Sequence, residues 1–481
     1  MEDAHFRAKV INAFIWLSSG TLFIQVISWT STIIVIRLLS PSDYGLMAMI
    51  VPIIFFIQIL SSWGLGAAIV QHKELNDTKI RQLFGFIILV FSSAYILIYL
   101  IAPFIAKFFN EVRLTSLLRV LGVNLPLMSL YVVPDSLFYR EMNFRMKTKV
   151  EIASRLGAAI VSPVCAINSM GVWSLVLAEV SVHVIRLIYF NLAYRKWHWP
   201  IFHFTDCIGM IKYSITVTGG NVFNYIFNVG DKIIVGKFLG KNLLGIYSVA
   251  FTLALLPKEK IMPIITQLSF SAYSTIQDDV ARIKLSLLRS IEAISFVAFP
   301  LFWGMACVAS EGIPLILGSH WVQVIVPFQF ICIVIPLISI SPIFPTALNA
   351  VGKPGIVFSN SIIESSIMVI VILIGVRFGL LGICITWIIF YPIAFLIISQ
   401  RSLHALGSEL KDLFRVFYFP VVSSIMVCLS VLSIKRMLIE SVNSAFMLVI
   451  SVVIGLIVYG VIVFIFKRDS IIKIRSLFLN K

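Results

Sequence analysis

Long apolar runs, parted by short polar and basic segments, fill the chain from end to end. The run LFGFIILVFSSAYILIYLIAPFIA (83–106) is continuously apolar and does not alternate. A spanning helix needs roughly 20 such residues, whereas a membrane barrel strand shows about ten with period-two polarity. Hydrocarbon also leaves the backbone to satisfy its own hydrogen bonds, which helices do. The pattern predicts fourteen spans, at 11–36, 44–70, 83–106, 113–134, 149–169, 171–194, 209–234, 243–268, 285–308, 321–349, 355–377, 379–400, 413–434 and 441–466. Arg113 and Arg119 weaken the fourth, and Pro336 or Pro342 is expected to break the tenth, so twelve or thirteen spans stay open. The first run is longer than a signal-peptide core and has no small-x-small cleavage end, so it reads as a span.

Composition agrees with this pattern. Of 481 residues 59% are hydrophobic and 12% charged, about half the charge a soluble domain carries. Placing the amino terminus inside puts 22 basic residues in cytoplasmic segments against 8 outside, the latter including Arg37, Lys107, Arg113, Lys237, Lys241, Arg377, Lys435 and Arg436. Both termini then face the cytoplasm, which requires an even number of spans. The net charge of +16 is therefore spread along one membrane face, where it suits anionic headgroups and not nucleic acid. Six cysteines stand singly with no CxxC, and read as small hydrophobes, not disulfides or metal ligands. No Walker A, HExxH or GxSxG string is present, which argues against ATP-driven or metal-dependent chemistry and implies no cofactor.

A repeat organises the spans. Ile33-Ile34-Val35-Ile36-Arg37-Leu38-Leu39 precedes Tyr44-Gly45-Leu46, and Ile233-Ile234-Val235-Gly236-Lys237-Phe238-Leu239 precedes Leu244-Gly245-Ile246. A second echo pairs Pro126-Leu127-Met128-Ser129 with Pro336-Leu337-Ile338-Ser339. The offsets, 200 and 210, nearly agree. This predicts two six-helix lobes, 1–200 and 201–405, followed by two further helices and a basic tail in 406–481. Paired repeats are a common basis of alternating access in transporters.

Charges within spans are costly and usually face protein or a cavity. Arg155, Lys258, Lys260 and Arg289 are candidates to hold a phosphate or pyrophosphate by charge-assisted hydrogen bonds. Snorkelling to the interface competes with that role, least well at Arg155 and Lys258. Asn221, Asn224 and Asn228 form a helical stripe that Asp231 continues; it reads equally as an interhelical seam or a sugar-lining face. Glu179, His183 and Arg186 share a face, as a static seam or a proton relay, which makes Asp231, Glu179 and His183 candidates for ion coupling.

Several segments together resemble the polysaccharide transporter family of the multidrug/oligosaccharidyl-lipid/polysaccharide flippase superfamily, in its lipopolysaccharide and colanic-acid exporter branch. They are Arg37-Leu38-Leu39-Ser40-Pro41-Ser42-Asp43-Tyr44-Gly45, Phe138-Tyr139-Arg140-Glu141-Met142-Asn143-Phe144, Gly171-Val172-Trp173-Ser174-Leu175-Val176 and Asp231-Lys232-Ile233-Ile234-Val235-Gly236-Lys237-Phe238-Leu239-Gly240. The resemblance covers roughly residues 8–400 and lies mainly in turns. It implies an all-α, two-lobed fold of MATE/MurJ type and a non-enzymatic flippase of the bacterial inner membrane. The implied cargo is an undecaprenyl-pyrophosphate-linked oligosaccharide for O-antigen, capsule or exopolysaccharide, with Na⁺ or H⁺ coupling open and polymerase and export proteins downstream. The competing readings are a multidrug or peptidoglycan-precursor exporter of the same superfamily, and a membrane-embedded glycosyltransferase.

Overall fold

The computed structural model describes residues 27–71, 76–194, 198–276, 279–438 and 442–466. Among them every regular element is helical: α1 (Ile27–Leu38), α2 (Pro41–Gln71), α3 (Asp77–Phe109), α4 (Leu114–Ser129), α5 (Val132–Arg140), α6 (Phe144–Ile167), α7 (Trp173–Tyr194), α8 (Ile208–Ser274), α9 (Val280–Cys307), α10 (Ala309–Leu317), α11 (Ile325–Ile340), α12 (Ile343–Ala350), α13 (Pro354–Gly375), α14 (Gly379–Ala405), α15 (Leu410–Leu438) and α16 (Ser444–Phe466). The chain divides into two compact units, Met1–Gly245 and Ile246–Lys481.

Among the described residues ten helical stretches are long and apolar enough to cross a membrane, or eleven if α4 and α5, bent by 46°, count as one broken span. The fourteen expected spans are not recovered as fourteen, for identifiable reasons. The first lies largely outside the described residues, and the fourth is the bent α4–α5 pair. The seventh and eighth run together in the 67 residues of α8, which Gly240 interrupts at φ 77°, ψ 179°. A residue without Cβ tolerates that angle, and any other is strained there. The eleventh and twelfth form one apolar stretch, Pro354–Ala405. As one helix its 52 residues would reach about 78 Å, far beyond a hydrocarbon core of about 30 Å. It is instead a hairpin, turned at Val376–Phe378, whose open end is joined by Asn360 Nδ2 donating to Ser402 Oγ at 3.1 Å.

In the first unit, α6 packs along α7, α3 along α4, and α2 against α5. Tyr131, Phe138, Val150 and Phe190 form a buried cluster under these contacts. Side-chain caps start several helices where the chain re-enters the apolar layer: Asn76 accepts from Lys79 N at 2.8 Å and Asn143 from Met146 N at 3.2 Å. In the second unit, α9 packs against both α15 and α11, α13 against α14, and α16 against α15. Tyr459 of α16 donates to the Phe296 carbonyl at 2.5 Å. Tyr459→Phe should lower stability by about 1 kcal/mol, the worth of one such bond, read as a small fall in melting temperature in detergent.

Turns that the charge pattern assigns to the same face meet within each unit. Lys237 and Lys241 reach Phe108 and Glu111, while at the other face Arg81 Nε donates to the Trp199 carbonyl. In the second unit Lys284 and Lys353 bond the Gly407 and Ala405 carbonyls, and Lys435 reaches Glu311 at the opposite face. The outer surface carries Leu100, Phe104, Leu192, Leu456 and Phe464, each more than 60% exposed. Such a surface is stable in lipid and not in water. The protein is a multi-span helical membrane protein.

The echo at Pro126 and Pro336 has a structural counterpart. The helix breaks after Ser129 and again after Ile340, each shortly past the echoed serine. Met142 and Gly352, 210 positions apart, both take positive φ at the turn that follows.

Candidate functional site

The break between α4 and α5 sets the main polar cluster of the first unit. It leaves Tyr131 with non-helical dihedrals (φ −126°, ψ −9°), and its hydroxyl shares a 2.8 Å hydrogen bond with Nδ1 of His183 on α7. Both side chains are buried, and the rings stack at 6.2 Å. His183 Nε2 lies 3.9 Å from Glu179 Oε1, one turn away. Arg186 does not join that pair. It crosses to α6 and donates to Glu151 Oε2 at 2.5 Å, while Arg155 Nε donates to Glu151 Oε1 at 3.1 Å.

Glu151 is thus held by two guanidinium groups, one from its own helix and one from the next. One carboxylate against two arginines leaves one positive charge uncompensated. The Arg155 side chain is 44% exposed while Arg186 is 22% exposed, so the surplus charge can be reached at Arg155. A guanidinium with free N–H groups suits a phosphate or pyrophosphate oxygen.

In the second unit, α8, α9 and α11 line a cavity of about 80 Å³, with Lys258, Met262, Ile294, Val297, Leu301 and Ser339 around it. Among the described residues Lys258 makes no hydrogen bond and no ion pair within 4 Å. Glu259 and Glu364 are the opposing charges that act on it. Glu364 in turn lies within hydrogen-bonding reach of the Tyr391 hydroxyl. Apart from Lys258 and Ser339 the lining is apolar, so Glu259 and Glu364 are the acidic groups that offset a cation there.

The sequence-predicted residues therefore divide. Glu179 and His183 stand together, Arg155 belongs to the Glu151 cluster, and Lys258 lines its own cavity. Arg289 is exposed on α9 and does not line that cavity. Asp231 is half-buried on α8, ahead of Gly240. The side chains of Asn221, Asn224, Asn228 and Lys260 lie outside the described residues. Sequence reasoning missed Glu151, whose i, i+4 spacing to Arg155 was the available signal. Among the described residues no group of three or more His, Cys, Asp or Glu side chains could hold a metal.

These features define a polytopic helical membrane protein with ionised clusters inside its bundles. Residues 34–326 match the family described as polysaccharide biosynthesis protein, and the chain belongs to that family. It is 22% identical to the lipopolysaccharide biosynthesis protein WzxC of Escherichia coli (strain K12), over 77% of this chain and 75% of the relative. It is 21% identical to the succinoglycan biosynthesis transport protein ExoT of Rhizobium meliloti (strain 1021), over 92% of this chain and 90% of the relative. Its fold is similar to that of the lipid II flippase MurJ in an inward closed conformation, with a TM-score of 0.76, 16% identity, and coverage of 95% of this chain and 100% of that one.

Proposed function

We propose that the chain is a flippase that carries a polyprenyl-pyrophosphate-linked oligosaccharide from the cytoplasmic to the outer leaflet of a bacterial inner membrane. It leaves the cargo covalently unchanged and is not an enzyme. The observation that carries the reading is the reachable surplus charge at Arg155, set inside a multi-span bundle of a family described as polysaccharide biosynthesis protein. A sugar headgroup stripped of water pays for every unpaired hydroxyl, so it needs a polar route. Its polyprenyl tail can stay in lipid. A cationic group along the route can hold the pyrophosphate, and in the second half Lys258 or Arg289 would do so.

The proposed organisation is two six-helix lobes, 1–200 and 201–405, working by alternating access, with 406–481 as an added pair and tail and with both termini cytoplasmic. Asn221, Asn224 and Asn228 would meet sugar hydroxyls, and Lys260 is a further proposed pyrophosphate ligand. Asp231, Glu179 and His183 are the proposed groups for Na⁺ or H⁺ coupling. Polymerase and export proteins would take the cargo on the far side. The family assignment and the relatives named for lipopolysaccharide and succinoglycan support this cargo over a drug or a peptidoglycan precursor.

Purified protein in proteoliposomes should expose the sugar of such a lipid to a lectin added outside, with its mass unchanged. Arg155→Glu reverses the surplus charge and should slow this movement more than tenfold at equal amounts of folded protein. No movement by folded wild type, or a change in the sugar, would sink the flippase reading. Normal rates in Arg155→Glu would remove that residue from it.

A further inference from the structure

Two cysteines that stand far apart along the chain are brought together by the packing of α9 on α15 in the second unit. The register of that packing is fixed at several levels. Lys284 meets Asp412 near the start of both helices, Phe296 stacks on Phe419, and Phe299 packs edge-on to Phe417. At the far end Lys435 Nζ donates to Glu311 Oε2 at 2.7 Å, just past the last turn of α9. Residue numbers rise together along both helices, so the two run parallel. Cys307 stands eleven residues, about three turns, beyond Phe296, and Cys428 the same interval beyond Phe417, so each returns to the face its phenylalanine uses. The two thiols accordingly lie within hydrogen-bonding reach of each other, both half-buried.

The surroundings favour reaction at this pair. Cys307 is the last residue of α9, at the turn into α10, where Ser310 is exposed. Lys435 Nζ donates to the Cys307 carbonyl at 2.9 Å, which sets a positive charge near the thiol. A thiol reacts as its thiolate, and a neighbouring ammonium offsets that charge. Lys435 and Arg436 are among the few basic residues that the charge pattern places outside. The periplasmic side of a bacterial inner membrane is an oxidising compartment.

We propose that Cys307 and Cys428 are a dithiol site that a disulfide oxidant outside the cytoplasm converts to a disulfide, stapling α15 and the α16 packed on it to α9. One cysteine thiolate attacks a sulfur of the oxidant, whose S–S bond breaks and whose first thiolate leaves. The second cysteine then attacks the protein sulfur of this mixed disulfide and expels the second thiolate. Two protein thiols are oxidised, one disulfide of the oxidant is reduced to two thiols, and the two protons pass to those thiols. Side-chain rotation supplies the remaining approach of the sulfurs to about 2 Å. Because α15 opens the stretch that the repeat leaves out, the bond ties the added helix pair to the repeated part of the chain. The proposal concerns one helix pair and stands apart from the flippase reading.

The test treats purified, reduced full-length protein in detergent with oxidised glutathione, then caps the remaining thiols with N-ethylmaleimide for mass spectrometry. Two of the six thiols should be lost with no glutathione attached, and peptides holding Cys307 and Cys428 should be joined. Melting should rise by several degrees, because the bond closes a long stretch of chain, and reductant should reverse the rise. Six capped thiols, a glutathione adduct alone, or a joined pair other than this one would overturn the site. The expected pair with an unchanged melting temperature would overturn the staple. Cys428→Ser, confirmed as folded by size exclusion, should lose both the joined peptides and the melting shift; a shift that persists would also overturn the staple. Oxidised glutathione does not cross a bilayer, so right-side-out vesicles should form the bond and inside-out vesicles should not. The reverse result would overturn its placement outside.

Discussion

Replacing Glu151 by Leu should cost about 1–2 kcal/mol, less than a fully buried pair because the carboxylate is over a third exposed, and should lower the melting temperature. The carboxylate is the shared acceptor of Arg186, from α7, and Arg155, from its own helix. Without it two guanidinium groups face each other inside a helical bundle, next to the buried Tyr131–His183 pair. Repulsion then replaces attraction where water can screen only the exposed arginine. The variant Glu151→Leu with Arg186→Met should recover most of the loss, because removing both partners of such a pair is close to neutral. Melting of the purified proteins in one detergent measures both effects. A single variant as stable as wild type would show that the pair does not hold α6 to α7.

Gly382→Val should be at least as damaging, for a steric reason. In the α13–α14 hairpin a Cβ at position 382 would overlap the Gly375 carbonyl and come within 2.7 Å of Phe378 Cβ. The connection is the three-residue turn Val376–Phe378, so the helices cannot drift apart to make room. Overpacking of this kind costs about 1–3 kcal/mol, and the rigid turn places this site at the upper end. Gly460→Ala is the matched control. Nothing stands within 4 Å of its Cβ position, and alanine favours a helix over glycine by about 1 kcal/mol. It should be neutral or slightly stabilising in the same melting assay. Equal melting temperatures for Gly382→Val and wild type would contradict the close approach.

Much of the architecture was legible along the chain because hydropathy is a local property. A run such as 83–106 must be helical and must lie in lipid, whatever it packs against. Two of the turns were legible too, since Gly240 and Gly379 take positive φ where helices cannot continue unaltered. The hairpin of Pro354–Ala405 was legible as two spans, whereas the fourth expected span proves to be a pair of helices bent by 46°. The polar groups were legible as a set but not as partners. Glu179, His183 and Arg186 share a helical face, yet Arg186 pairs with Glu151, 35 positions away on another helix. Rotation of α6 against α7 decides that choice, and periodicity within one helix carries no record of it.

The chain alone therefore determined a bundle of helices in a membrane and its charge asymmetry, because both follow from composition and spacing. Tertiary structure decided which charges neutralise one another and which positive charge is left reachable. Those outcomes depend on how close two helices approach and which faces they present. In hydrocarbon, where apolar surfaces attract one another no more than they attract lipid, close packing and polar pairing settle that approach.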